Sequence, residues 1–261
     1  MKYYNIYIIM SSVNAHRDAF IKLIDTGDED RCIEYINKYN DFYDAIYTKP
    51  SCLGATNMLI LACDNRLREV AIALIDKKCD LTYQNEYGYT ALISAFVNNI
   101  YCVVAHIVDN LSDTATRFYK HGQQFSEMMY LCCGSDNQKS VAKMIDKGYD
   151  IYYRSPYDHE SLIKLAVQFS NKYVVKKLID KDTDFAAQFT THCIGTTVKK
   201  DFYDTIVEYI HDRHDIYKNT IIAVMDDASP ANALYNSFHT TYAVQLVNII
   251  CDFILLPIKK S

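Results

Sequence analysis

The sequence predicts an all-α fold, a solenoid of about six helix-turn-helix units closed by a helical C-terminal cap. Two observations carry this. Gly 7 and Pro 4 together make about 4% of the 261 residues, where an average chain carries roughly 12%. So few backbone punctuators disfavour collagen-like, linker-rich and many-turned sandwich architectures and favour helices joined by short connections. The second observation is a recurring tetrad: Leu23-Ile24-Asp25, Leu74-Ile75-Asp76-Lys77, Met144-Ile145-Asp146-Lys147 and Leu178-Ile179-Asp180-Lys181. The last three are each followed, five residues beyond the Ile, by Asp80, Asp150 and Asp184. Looser versions at Tyr35-Ile36, Ile107-Val108 and Tyr209-Ile210 reach Asp41, Asp113 and Asp215 at the same offset. Recurrence at a period of 20 to 50 residues is the signature of stacked repeats.

Taken in chain order, residues 1–18 read as an N-terminal segment. Its apolar stretch from Tyr3 to Met10 follows Lys2, and Val13-Asn14-Ala15 has the small residues of a cleavage site. Asn5 interrupts the run, which argues against an export signal. Met10 is an alternative start, giving a polar helix that opens at Ser11-Ser12. Residues 19–216 read as the repeats. Upstream of each tetrad lies a second apolar cluster, anchored at Phe20, Leu59, Leu92, Met129, Leu162 and Ile194. Each unit is then a short helix, a tight turn, a longer helix ending in the tetrad, and a polar connection. Leu162, Ala166 and Leu178 are expected in the core. Two connections are longer than the rest, Asp41 to Leu59 and Asp113 to Met129, and extra residues in repeat proteins emerge as loops on one face. Residues 217–261 read as a divergent last repeat and a capping helix, with Thr220 to Met225 and Tyr242 to Leu256 as apolar stretches and a turn at Ser229-Pro230.

The connection and first helix of one unit run Asp80-Leu81-Thr82-Tyr83-Gln84-Asn85-Glu86-Tyr87-Gly88-Tyr89-Thr90-Ala91-Leu92, with Ala95 three residues on. This resembles the ankyrin repeat, whose pattern is D-x-x-G-x-T-P-L-x-x-A, a second helix rich in Val and Leu, then G-A-D. Asn85, Gly88, Thr90, Leu92, Ala95, Val103, Val104, Ile107 and Val108 stand where the family places matching types. The next unit adds Cys132-Cys133 at the small-residue pair, Val141, and Lys147-Gly148-Tyr149-Asp150 for K-G-A-D. Departures are systematic. The Pro of the T-P-L-H turn is replaced by Met58, Ala91, Met128, Ser161 and Cys193, and the His by Ile60, Ile93, Tyr130 and Ile163. That His normally hydrogen-bonds across the turn, so single repeats should be less rigid. Gly27, Gly88 and Gly148 fall where a unit wants a glycine, while Asn99, Asp136 and Asp201 are offered at first-to-second helix turns. Tetratricopeptide units share a similar period, but their small–large pattern is not found.

Ankyrin-type arrays bind proteins along a concave face made by hairpin tips and first helices, and the resemblance implies a non-catalytic protein-interaction scaffold. Its candidate partner-binding residues are Glu86, Tyr87 and Tyr89, with Gln84 beside them, and, two units later, Tyr152, Tyr153, Arg154 and Tyr157. Tyr suits such a role because it offers a large, stiff contact with a polar tip. Coding rich in A and T also raises Tyr, Ile, Asn and Lys while depleting Gly and Pro, so the total of 23 Tyr against no Trp is read first as composition. Divergent arrays of this composition resemble those of large DNA viruses and intracellular bacteria, which act on host components. Leu256-Pro257-Ile258 is too little to assign an F-box-like ending.

The totals bound the alternatives. A formal net charge of −5 gives no basic excess for a nucleic-acid backbone. Nine cysteines without a CxxC pair read as small hydrophobes in a reducing, cytoplasmic setting. One sequon, Asn110-Leu111-Ser112, is expected by chance. No phosphate loop and no H-E-x-x-H occurs, and no cofactor is expected. The alternative function is a metal-binding or hydrolytic protein with its site in the C-terminal segment, where His211 and His214 lie i, i+3 beside Asp212 and Asp215. Histidines near a helix C-terminus also oppose its dipole, which accounts for them without a metal. Cys133 with His121 or His159 is a further thiol pair to weigh against burial. Peripheral membrane attachment through Tyr242 to Leu256, backed by Lys259 and Lys260, is the weakest reading, since Gln245, Asn248 and Asp252 interrupt the stretch. No membrane and no nucleic-acid partner is expected; the partner is a protein.

Overall fold

Four side chains set the register of the helix pairs. Asn57, Thr90, Ser126 and Ser161 each accept a hydrogen bond from the backbone N–H three residues on, capping α3 (Met58–Asp64), α5 (Ala91–Val97), α7 (Glu127–Cys132) and α9 (Leu162–Gln168). A short polar side chain at this position satisfies one of the four donors a helix start leaves open. In this computed structural model the described residues are 2–48, 54–120, 123–194, 197–229, 231–238 and 247–249. Each first helix is paired with a second: α2 (Glu29–Lys38) with α1 (Lys2–Ile24), then α4 (Arg68–Asp76), α6 (Tyr101–Asn110), α8 (Gln138–Asp146) and α10 (Lys172–Lys181). A sixth pair follows, α11 (Asp184–Cys193) and α12 (Lys200–Asp226), and then α13 (Ala233–Phe238). Among the described residues the only strands are two-residue hairpin partners, β1 (Tyr47–Thr48) with β2 (Ala55–Thr56) and β3 (Phe118–Tyr119) with β4 (Phe125–Ser126). The fold is all-α and ankyrin-like.

The turns recur as closely as the caps. At the first-to-second helix turns Arg66, Asn99 and Ser170 have φ of 59°, 60° and 53°. Around each, two bonds close the helix end: Leu67 N–H to Ala62 O and Arg66 N–H to Cys63 O, repeated by Ile100 and Asn99, and by Asn171 and Ser170. This is the Schellman ending, which takes up two orphan carbonyls at the cost of one left-handed residue. Second helices end the same way at Lys78 and Gly148. Asn99 therefore fills the turn expected of it. Asp136 does not: it lies in a 3-10 turn, Ser135–Asn137. Asp201 lies in the first turn of α12.

The chain forms two compact units, Met1–Glu160 and Ser161–Ser261. In the first, α1, α3, α5 and α7 pack successively on one another, and α2, α4, α6 and α8 form the parallel row. The row between them is mainly apolar: Leu59, Leu74, Leu92, Val103, Val104 and Met144 are among its fully buried side chains. In the second, α9 packs on α11 and α10 on α12, burying Leu162, Ala166, Leu178, Phe189 and Ile206. The tetrad has a structural meaning beyond its apolar pair. Its Asp ties one second helix to the next: Asp76 to His106 Nε2 at 2.8 Å, Asp109 to Lys143, and Asp180 to Tyr209 Oη at 2.5 Å and Arg213 Nε at 3.4 Å.

Several expectations shift. The family's T-P-L-H positions are set by the caps, so Glu127 and Leu162, rather than Met128 and Ser161, stand at the Pro position. Met129 and Lys164, rather than Tyr130 and Ile163, stand at the His position. Ile194 is not an anchor. It follows the end of α11 and is 77% exposed, and the buried face of α11 is Phe185, Ala186 and Phe189. The reason is local. Asp182 caps the N–H of Asp184, so only Asp182 and Thr183 separate α10 from α11 and no finger stands between them. Cys193 likewise closes α11 instead of opening a helix. Helix α1 crosses the 18/19 boundary, and α12 runs unbroken past Asp215 and the 216/217 boundary, for no Gly or Pro interrupts 200–226. The stretch Tyr242 to Leu256 lies outside the described residues except Val247 to Ile249, as do Pro230, Lys259 and Lys260.

Candidate partner-binding edge

Each connection in the unit Met1–Glu160 projects as a finger, and the four fingers are tied to one another in order. The Tyr83 hydroxyl of the second donates to Ala55 O of the first at 3.1 Å. Gly54 of the first lies so close to the Glu86 carboxylate that a Cβ there would overlap it. Gln84 Nε2 donates to Phe118 O of the third at 3.2 Å. Gly88, at φ 76°, has the same carbonyl 2.6 Å from where its Cβ would be, so this close approach needs glycine. The rings of Tyr89 and Tyr119 meet edge-on at 4.9 Å with their hydroxyls 2.9 Å apart. Tyr153 of the fourth finger packs on Phe118 at 5.2 Å and donates to Gln124 O at 3.3 Å. The two long connections thus become hairpins β1–β2 and β3–β4 on the same edge as the shorter ones.

Local turn chemistry fixes what each finger displays. In the second, the Asn85 carboxamide accepts the N–H groups of Tyr87 at 3.0 Å and Tyr89 at 2.9 Å, while Gly88 N–H returns to Asn85 O. This Asx-type turn turns Tyr87 outward, 39% exposed, and Tyr89 inward against Tyr119. In the fourth, Asp150 accepts Tyr152 N–H at 2.9 Å and Asp158 accepts Glu160 N–H at 3.1 Å. Tyr152 is 60% and Tyr157 74% exposed. Of the seven candidate residues, Glu86, Tyr87, Tyr152, Arg154 and Tyr157 are exposed, and Tyr89 and Tyr153 are half-buried in contacts between fingers. Burial, then the charge of Asp158, raises the Tyr153 phenol above its ordinary value.

Behind the edge lies a buried polar group that motif reading missed. Glu127 is 2% exposed, accepts the Thr90 hydroxyl, and stands 3.6 Å from Arg117 Nη1. Arg117, 7% exposed, also holds Asp113, whose carbonyl accepts the Tyr149 hydroxyl at 3.3 Å. Burial raises the Glu127 carboxyl, the Thr90 and Arg117 contacts offsetting part of the rise. Tyr149 is pushed up to about 12, chiefly by burial and then by Glu127. The cluster joins the cap of α5, the third finger and the start of α7. In the sequence its only trace is an Arg in a long connection and a Glu after a capping Ser, both of which look solvent-facing.

The remaining candidates separate plainly. Cys133, half-buried, directs its thiol to Met129 O at 3.5 Å, and burial, then Glu160, raises it to about 11. A thiol so placed is protonated at neutral pH and a poor nucleophile. His159 is exposed at φ 52°, and His121 lies outside the described residues. His211 and His214 lie in the middle of the 27-residue α12, so the helix-end dipole does not account for them. Among the described residues no group of three or more His, Cys, Asp or Glu is placed to hold a metal ion, and no helix is long and apolar enough to cross a membrane.

No family model matches the chain, and no curated protein matches it. Among solved structures it is similar to an ankyrin repeat protein, at 15% identity and a TM-score of 0.38, over 62% of this chain and 96% of that one. It is also similar to a chain in the complex of a predatory endopeptidase from Bdellovibrio bacteriovorus with an immunity protein. There the identity is 16% and the TM-score 0.36, over 63% of this chain and 98% of that one.

Proposed function

We propose that the chain is a non-catalytic protein-interaction scaffold whose partner docks on the finger edge of Met1–Glu160. The observation that carries this is the pairing of exposed Tyr87, Tyr152 and Tyr157 with fingers held by hydrogen bonds to their neighbours. An aromatic anchor on a fixed backbone loses little freedom on binding, so most of its contact area is realised as affinity. Glu86 and Arg154 supply a polar rim, while Tyr89 and Tyr153 hold the fingers and contact no partner directly. A partner among host components, met in the cytoplasm, extends this reading through the resemblance to viral and bacterial arrays.

The test is affinity purification of the tagged chain from transfected cells, compared with Tyr87→Ser/Tyr157→Ser. A stoichiometric protein that co-purifies with the wild type and is lost from the variant supports the edge. Retention of the same protein by a variant with unchanged circular dichroism would sink it.

A further inference from the structure

We propose that the unit Met1–Glu160 binds one buried water molecule, held by the side chains of Arg117 and Glu127 where the third finger meets α7. The two residues are already joined through the backbone, since Glu127 N–H donates to Arg117 O at 2.9 Å. Their side chains stop short of joining: Arg117 Nη1 stands 3.6 Å from Glu127 Oε2, beyond hydrogen-bond reach. Beside the pair lies a cavity of about 10 Å³, whose walls include Arg117, Ser126, Glu127, Met128 and Tyr149.

Donors and acceptors around this space match a water and little else. Glu127 is 2% exposed and its Oε1 accepts the Thr90 hydroxyl, but Oε2 has no hydrogen-bond partner among the described residues. Leaving a buried carboxylate oxygen unpaired costs more than ordering a water to pair it. Arg117 Nη2 is held by Asp113, and of the two hydrogens on Nη1 one serves Ala115 O at 3.4 Å, which leaves one. The Ser126 oxygen accepts Met129 N–H at 3.2 Å, and its own hydroxyl hydrogen is a further donor on the wall. Three polar neighbours is the usual complement of an internal water, and the volume is about what one water occupies. A water in line between two groups needs them about 5.5 Å apart, so at 3.6 Å the site lies to the side of the pair, where the cavity is. The guanidinium on the wall disfavours a metal ion, and the volume admits nothing larger. Bound there, the water ties together the base of the finger whose Phe118 and Tyr119 hold the fingers on either side.

The experiment is a crystal structure of the full chain at a resolution that shows ordered water, with Glu127→Gln and Glu127→Met beside it. The wild type is expected to show one density peak within about 3.2 Å of both Arg117 Nη1 and Glu127 Oε2. Glu127→Gln, which keeps a polar group facing the cavity, should retain the peak, and Glu127→Met, similar in length but apolar, should lose it. In solution, cross-relaxation between a long-lived water and the amide protons of residues 126–128 should be present in the wild type and Glu127→Gln and absent from Glu127→Met. A direct Arg117–Glu127 bond with no peak beside it overturns the assignment, and so does a peak that Glu127→Met retains. If Glu127→Met does not fold, the wild type and Glu127→Gln decide, and a dry cavity in either overturns it.

Discussion

The units Met1–Glu160 and Ser161–Ser261 use the same helix pair and differ in what joins one pair to the next. In the first, α2, α4, α6 and α8 each lead into a finger, and the fingers hold one another by side-chain bonds to backbone carbonyls. In the second, α10 passes to α11 through Asp182 and Thr183 alone, and α12 extends to 27 residues. The tetrad Leu-Ile-Asp-Lys closes α4 and α10 alike. The difference teaches that the tetrad specifies the end of a second helix and its tie to the next, whereas a finger needs its own instructions. Asn85, Gly88, Asp150 and Asp158 carry them in the first unit. At Asp182-Thr183-Asp184 the same bond to the second N–H on recurs, but it opens α11 directly instead of shaping a finger.

The sharpest way to break the comparison is a buried charge in each unit. Leu74→Asp and Leu178→Asp occupy the same tetrad position, both fully buried, and each should cost about 4 kcal/mol. Hydrogen exchange after Leu178→Asp should lose protection throughout α9 to α12, and after Leu74→Asp in α2 to α6. Uniform loss over the whole chain in both variants would show that the two units are not separate in stability.

Next in size is the buried carboxylate. Glu127→Ala leaves buried Arg117 with Asp113 as its remaining carboxylate and removes the acceptor of Thr90, which should cost about 3 kcal/mol by urea denaturation. Its pH signature has a definite sign. The folded carboxyl lies above its ordinary 4.5, so the folded state binds the proton more tightly than the unfolded one. This contribution is fully present below the unfolded value and is lost as pH rises through the folded one. Glu127→Gln should therefore flatten the decline in stability of Met1–Glu160 above pH 4.5 and leave Ser161–Ser261 unaffected. A steeper decline in the variant would contradict the assignment.

The left-handed turns offer a gain rather than a loss. Arg66→Gly in one unit and Ser170→Gly in the other should each raise stability by about 1 kcal/mol, since glycine enters that region without the Cβ penalty. Asn99→Gly should gain less. Smallest are the tetrad ties. Asp180→Asn, which loosens both Tyr209 and Arg213, should cost about 1 kcal/mol, and Asp76→Asn, with a single His106 partner, about 0.5 or less and nothing at high salt. A larger effect at Asp76 would reverse the ranking of the two units.

Much of the helical scaffold was legible because it is written in local chemistry. Apolar residues at the tetrad, the small pair before each turn, and Thr90 with Leu92 specify helix ends and buried faces within a few residues. The left-handed positions were legible only in part: Asn99, Gly27, Gly88 and Gly148 advertise themselves, but Gly54, Arg66, Lys78 and Ser170 do not. Arg66, Lys78 and Ser170 adopt φ > 0 because the Schellman bonds on either side over-determine the turn. The sixth anchor failed at Ile194 because a fixed offset was extended into a unit that has no finger. At the edge, composition alone makes Tyr87 and Tyr89 equal candidates. Only the turn at Asn85 separates them, sending one outward and the other against Tyr119. Glu127 was invisible because its burial depends on Arg117, ten residues away, and on Thr90, a whole unit earlier.

The packing of each helix on near neighbours in sequence, α3 on α4 and α5, α9 on α10 and α11, bears on how the chain is made. Contacts between close segments require only short loops to close, which favours fast folding. Synthesis delivers the N-terminal elements first. Within Met1–Glu160, each helix pair leaving the ribosome finds the preceding pair already presenting the apolar row it must cover. The order of translation and the order of stacking are the same, so little hydrophobic surface waits uncovered for a distant partner.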